Sequence, residues 1–214
     1  MRAGHLIYKV ADLDEGVRQW RENGFVVEYG TSKNPYNALI YFSEGPYIEL
    51  LASTGMPKFV KGILKVMGKG ELVKRFDDWD YGEERWSGFC IEREFGDLER
   101  EINFLKTHGK GGFHLKRGRR IDVQGRDLRY QCFFPSDMGL PFLMSYFNID
   151  PKPLDFTHPN GVRRVGEIVY ETDMDSAELV GKLMKDERVK IEITKGLDKE
   201  KQGNVKSVQF EYAK

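Results

Sequence analysis

The sequence predicts an α+β fold: tandem βαβββ modules plus a partial third βαββ copy, forming a curved mixed sheet around a cavity. Two observations carry this. A strand followed by a capped amphipathic helix occurs twice, the second time 85 positions after the first. The strands after each helix are separated by short turn signals, so they do not form parallel crossover units.

In the first module, residues 4–10 form an apolar run that suits a strand. Asp12 offers an N-cap, with Glu15 three residues later in a capping-box pattern. Leu13, Val17 and Trp20 follow on one helical face, and Asn23-Gly24 supplies the stop. Strands are then expected at 25–30, 37–43 and 47–53. In the second module Asp97, Leu98, Ile102, Leu105 and Gly109 stand 85 positions after Asp12, Leu13, Val17, Trp20 and Gly24. Cap, stripe and stop recur in phase, which reads as a duplication. Strands follow at 112–115, 127–134 and 140–147, with a long basic hairpin connection between 115 and 127.

The third copy has a strand at 166–172, a short helix capped by Asp175 with Glu178, and two more strands. Those last strands are joined by a polar, Gly-containing turn at 195–204. Between the first two copies, Phe59, Ile63 and Met67 form a stripe, with Lys58, Lys61 and Lys65 elsewhere on the wheel. That insertion is expected to add a helix covering one end of the sheet. The expected division is 1–53, 54–85, 86–150 and 158–214, all within one compact unit.

Composition narrows the function. The chain has 214 residues, 40% of them hydrophobic, which excludes global disorder. Its 34 basic and 34 acidic residues balance, which removes the whole-chain argument for nucleic-acid binding. No apolar run approaches the roughly 18 residues that span a bilayer, and the N-terminal stretch does not resemble a secretory signal. Cys90 and Cys132 lie in apolar stretches and read as reduced core thiols. The expected setting is cytoplasmic, without a membrane or nucleic-acid partner. P-loop, GxGxxG, HExxH, GxSxG and CxxC patterns are absent.

The duplicated βαβββ pattern resembles the vicinal oxygen chelate superfamily, and within it the glyoxalase-like proteins. The matching residues are Gly4-His5-Leu6, Asp12-Leu13-Asp14, Asn37-Ala38-Leu39-Ile40 and Tyr47-Ile48-Glu49-Leu50-Leu51 in the first half. In the second half they are Gly125-Arg126-Asp127-Leu128, Leu140-Pro141-Phe142-Leu143 and His158-Pro159-Asn160-Gly161. The resemblance implies that the first and fourth strands of each module lie side by side and carry two metal ligands per half. His5 and Glu49 are the implied ligands of a divalent ion (Zn, Mn, Fe or Ni), with Glu49 also the implied catalytic proton shuttle. The second half departs from the pattern: His5 aligns with Cys90, or with Phe89 or Gly88 if a gap is allowed. Glu49 aligns with Leu143 or Ser145.

Each candidate also has a plainer reading. His5 is either a pocket residue or a hydrogen-bonded core histidine. Glu49 lies between Tyr47 and Leu51 on one strand face, where a carboxylate is costly unless paired or coordinated. Asn37, Arg129, Gln131, Ser145 and His158 are substrate-pocket candidates. Asn37 and His158 are equally turn residues, and Arg129 and Gln131 suit a sheet face in water. His108 reads as a helix-end residue and His114 as a surface one. The six basic residues between Lys106 and Arg120 read as a solvated loop or as a holder for an anionic group.

Two functions are expected from the resemblance. One is a metal-dependent lyase, isomerase or dioxygenase acting on a small oxygenated molecule. The other is a metal-free protein that binds or sequesters a small-molecule ligand. A homodimeric interaction module is a third reading.

Overall fold

A computed structural model of the chain describes residues 1–194 and 203–213. The first module runs β1 (Arg2–Lys9), α1 (Leu13–Glu22), β2 (Glu28–Tyr29), β3 (Asn37–Ile40) and β4 (Tyr47–Leu51). The insertion forms α2 (Lys58–Val66) and α3 (Gly70–Tyr81). The second module repeats the order as β5 (Arg85–Arg93), α4 (Glu99–Thr107), β6 (Gly112–Ile121), β7 (Asp127–Pro135) and β8 (Phe142–Ser145). Then follow β9 (Val162–Thr172), α5 (Met174–Leu183), β10 (Val189–Ile193) and β11 (Asn204–Tyr212). Most of the turn expected at 195–204 lies outside the described residues.

Local chemistry explains the repeated helices. The Asp12 carboxylate accepts from the Glu15 backbone N–H at 2.9 Å and caps α1. The Glu15 side chain turns to Arg18 and Gln19, so the reciprocal half of the box is not made. In α4 the Asp97 carboxylate accepts from the Glu99 N–H at 3.1 Å, and the helix starts after Leu98. The chain leaves both helices through a left-handed glycine, Gly24 at φ +78° and Gly109 at φ +74°. The predicted faces are the buried ones: Leu13 and Val17 in α1, then Leu98, Ile102 and Leu105 around α4. In the third copy Asp173 rather than Asp175 caps α5, accepting from the Ser176 N–H at 3.0 Å.

Eight strands form one curled mixed sheet in the order β2-β3-β4-β1-β5-β8-β7-β6. β4 lies parallel to β1, β8 parallel to β5, and β1 and β5 pair antiparallel at the centre. His5 sits opposite Cys90 in that central pair. The pair therefore marks the pseudo-twofold axis that an 85-residue repeat requires. The third copy does not join this sheet but forms its own, ordered β10-β9-β11. Val165, Ile168, Tyr170 and Val205 of that small sheet share a core with Leu6, Ile48, Leu50, Phe89 and Ile91 on the convex face.

Strand alternation then assigns the concave face. β1 turns His5 and Ile7 inward and Leu6 outward, while β4 turns Tyr47, Glu49 and Leu51 inward and Ile48 and Leu50 outward. The insertion contributes two helices instead of one, and the covering helix is α3. Its Leu72, Phe76 and Trp79 are buried against the concave face, whereas the predicted stripe of α2 faces outward, with Phe59 71% exposed. Lys61 explains the inversion: it is buried, donating to Asp77 at 2.8 Å and to Asp80, both on α3. A buried ammonium needs those carboxylates, and meeting them rolls the apolar side of α2 into solvent. Arg75 fastens α3 in turn, donating to the carbonyls of Pro135, Asp137 and Leu140.

The basic segment after residue 115 is also corrected. β6 continues to Ile121 with a bulge between Leu115 and Gly118. The connection is only the short turn around Asp122 and Gly125.

Candidate functional site

The concave face encloses a cavity of about 350 Å³. Both modules and α3 line it. Its walls are mostly aromatic: Tyr47 from β4, Phe76 and Trp79 from α3, Tyr130 and Phe134 from β7, and Phe142 from β8. Phe134 and Phe142 stack with ring centroids 5.5 Å apart, and Trp79 meets Phe142 edge-on at 5.4 Å. Polar groups are few. His5, Asn37, Glu49 and Arg120 are the main ones, joined by the Tyr36 and Tyr130 phenols and the Cys132 thiol.

His5 and Glu49 are brought together. Their Nε2 and Oε2 atoms lie 3.5 Å apart. The His5 ring stacks on Tyr47 at 4.6 Å and is 3% exposed. Burial, reinforced by the positive charges of Arg120 and Lys152, holds its pKa down to about 3, so the ring is neutral. Burial acts the opposite way on Glu49, raising its carboxyl above the ordinary value against the lowering pull of Asn37 and Arg120. Asn37 donates from Nδ2 to Glu49 Oε1 at 2.6 Å. Gly30 makes room for that amide, since a Cβ there would lie 2.0 Å from Asn37 Oδ1. The expected pocket residue Asn37 is thus the partner that holds Glu49.

The second half keeps the register and changes the chemistry. Tyr47 pairs with His5, and Phe142 with Cys90; two residues further, Glu49 pairs with Ile7, and Met144 with Glu92. Met144 is therefore the counterpart of Glu49, not Leu143 or Ser145, whose side chains point away. By the same register Tyr130 stands for Asn37. Cys90, opposite His5, is fully buried, and burial raises its thiol well above the ordinary range, which disfavours the thiolate a metal requires. Among the described residues, no group of three or more His, Cys, Asp or Glu is arranged to hold a metal. His5 and Glu49 supply two donors where the four-ligand pattern needs four, so the residues present do not fit such a centre.

Arg129, Gln131 and Ser145 are placed elsewhere. In β7 the neighbours of Arg129 and Gln131, namely Leu128, Tyr130 and Cys132, face inward, so these two face outward by alternation. Arg129 is exposed and paired with Asp127 at 2.9 Å, and Gln131 meets His114 Nε2 at 3.0 Å. The Ser145 hydroxyl accepts from the Gln131 backbone N–H at 2.9 Å. All three border a separate open depression of about 670 Å³. His158 lies beyond α1, accepting from the Val26 N–H at 3.0 Å among Phe25, Phe42 and Phe156. Burial lowers its pKa to about 4. It closes the turn before β9, with Gly161 donating to its carbonyl.

The sequence reads Arg120 as part of a basic loop, solvated or holding an anionic group; in the structure it reaches the pocket from β6 and donates to the Tyr41 hydroxyl at 2.9 Å. Arg119-Arg120-Ile121 carries no apolar-polar alternation that would mark a continuing strand. Phe76 and Trp79 also line the pocket without standing among the sequence candidates, although their spacing with Leu72 marks a helical face.

Residues 4–183 match the family described as a glyoxalase-like domain. A hypothetical protein of Staphylococcus aureus has a similar structure, with a TM-score of 0.66, 16% identity, and coverage of 97% of this chain and 89% of that one. The 2,3-dioxygenase LapB of Pseudomonas sp. KL28 gives a TM-score of 0.53 at 11% identity, covering 98% and 74% of the two chains. At these identities the likeness concerns the fold alone. A 91-residue stretch, 39% of the chain, is 32% identical to formate-dependent phosphoribosylglycinamide formyltransferases of Xanthomonas campestris pv. campestris. The chain spans 22% of the length of those curated relatives. No helix among the described residues is long and apolar enough to cross a membrane.

Proposed function

The chain belongs to the glyoxalase-like domain family, and we propose that this member binds a small organic molecule in its concave pocket without a metal centre. The carrying observation is the pairing of a half-polar site, His5 with Glu49, against an apolar counterpart, Cys90 with Met144 and Phe142. Two protein donors facing sulfur and aromatic carbon suit hydrogen bonding to a ligand better than chelation of a divalent ion. The aromatic walls supply apolar contact, and the few polar groups orient what is bound. The cavity size is at the small end of ligand sites, which run roughly 300–1,000 Å³.

The second reading, a metal-dependent lyase, isomerase or dioxygenase with Glu49 as proton shuttle, draws on the 3.5 Å approach of His5 and Glu49. Elemental analysis of the purified protein, beside a His5→Ala/Glu49→Ala variant, separates the two. We expect sub-stoichiometric metal in both proteins, and a small molecule carried by the wild type in native mass spectrometry. Near-stoichiometric Mn, Fe, Ni or Zn in the wild type, lost in the variant, would replace this proposal with the enzyme reading.

A further inference from the structure

We infer that the pocket ligand is an aromatic or strongly apolar monocarboxylate whose carboxylate is held by Arg120. This rests on the ligand-binding reading above and names its substrate class. Arg120 is half-buried at the end of β6, with its guanidinium over the Phe147 ring at 5.8 Å. Its hydrogen bond goes to the Tyr41 hydroxyl, and among the described residues no carboxylate forms an ion pair with it. Glu49 is the acid lining the pocket, but its carboxyl group is engaged by Asn37 and faces His5.

Two other arginines of the same stretch are compensated differently. Arg119, one residue earlier and outward-facing, pairs with Asp127 at 2.8 Å, and Arg126 pairs with Asp122 at 2.6 Å. Arg120 alone of these three points its charge into an aromatic chamber. A half-buried guanidinium with one hydroxyl partner and no ion pair leaves most of its donors available. Its planar fork offers donors that match a carboxylate in bidentate geometry. The remaining chamber, walled by Phe76, Trp79, Phe134 and Phe142, presents ring faces and edges that suit an aromatic body. Among the described residues Arg120 is the lysine or arginine that lines the pocket, and with the apolar chamber it specifies a single anionic head on an apolar frame.

The test uses the full chain with matched probes, 2-naphthoate and its neutral amide, titrated by calorimetry into wild type, Arg120→Met and Arg120→Lys. For the wild type we expect naphthoate to bind at least about tenfold tighter than the amide, as a charge-assisted hydrogen bond predicts. Arg120→Met should erase that preference while still binding the amide, which also shows that the variant is folded. Arg120→Lys should keep part of the preference. Equal affinities in the wild type, or a preference that survives in Arg120→Met, would overturn the carboxylate assignment and leave ligand binding standing. Binding of neither probe to the wild type at millimolar concentration would overturn both readings. Stoichiometric metal in the wild type with an Arg120-dependent preference would overturn only the metal-free reading.

Discussion

The two halves of the concave pocket share a backbone and differ in chemistry. Gly30 clears space for Asn37 in the first half, and Gly118 clears it for Tyr130 in the second, where a Cβ would lie 2.5 Å from the ring. Yet the first half presents His5, Asn37 and Glu49, whereas the second presents Tyr130 and Met144, with Cys90 buried opposite His5. Duplication preserved the devices that shape strands and let the inward side chains diverge. The lesson is that a complete fold can hold half a site, so fold similarity does not carry the chemistry with it.

The largest expected effect comes from forcing the halves to match. Cys90→His with Met144→Glu places an imidazole and a carboxylate in an apolar wall, and should destabilise the metal-free protein by about 3 kcal/mol or more. Added Zn or Ni should restore much of that loss in thermal denaturation. If the variant gains no metal-dependent stability, the register equivalence of Glu49 and Met144 is wrong.

A smaller effect tests the shared glycine. Gly30→Ala should push the Asn37 amide off Glu49 and cost about 1–2 kcal/mol in urea denaturation. Combined with Asn37→Ala, it should be clearly less than additive, because both remove one interaction. Additive losses would mean that Gly30 acts independently of the site.

The smallest effect concerns the Glu49 carboxyl. Its folded pKa is raised, so the folded chain holds a proton that the unfolded chain releases as pH climbs above 4.5. Stability from this group is therefore present below 4.5 and declines as pH rises toward the folded value. Glu49→Gln removes that decline, so it should be modestly stabilising at neutral pH and nearly neutral in effect near pH 4. A uniform effect across that range would show that burial does not govern this carboxyl.

Much of the architecture was legible because it is written in local patterns. The cap at Asp12, the stop at Gly24 and the buried stripes of α1 and α4 each depend on residues within about two helical turns. Glu49 stood out for a similar reason, as a carboxylate flanked by large apolar residues on one strand face. His108 behaved as expected too, with its ring Nδ1 on the Phe104 carbonyl at 2.8 Å at the end of α4. The α2 stripe misled because burial of Lys61 by two carboxylates on another helix outweighed the apolar face.

What the sequence determined by itself was the repeat, the cap and buried stripe of α1, the stripe of α4, the shared strand face of Tyr47, Glu49 and Leu51, and the absence of a second His and Glu in matching places. Only the tertiary structure decided which side chains share the pocket. A strand changes face at every residue, so a single bulge, like that between Leu115 and Gly118, resets which arginine points inward. Arg120 entered the site, and Arg129 and Gln131 left it, by that parity. The partner of each strand is set by long-range hydrogen bonding and by α3 packing across the opening, neither of which leaves a mark in neighbouring residues.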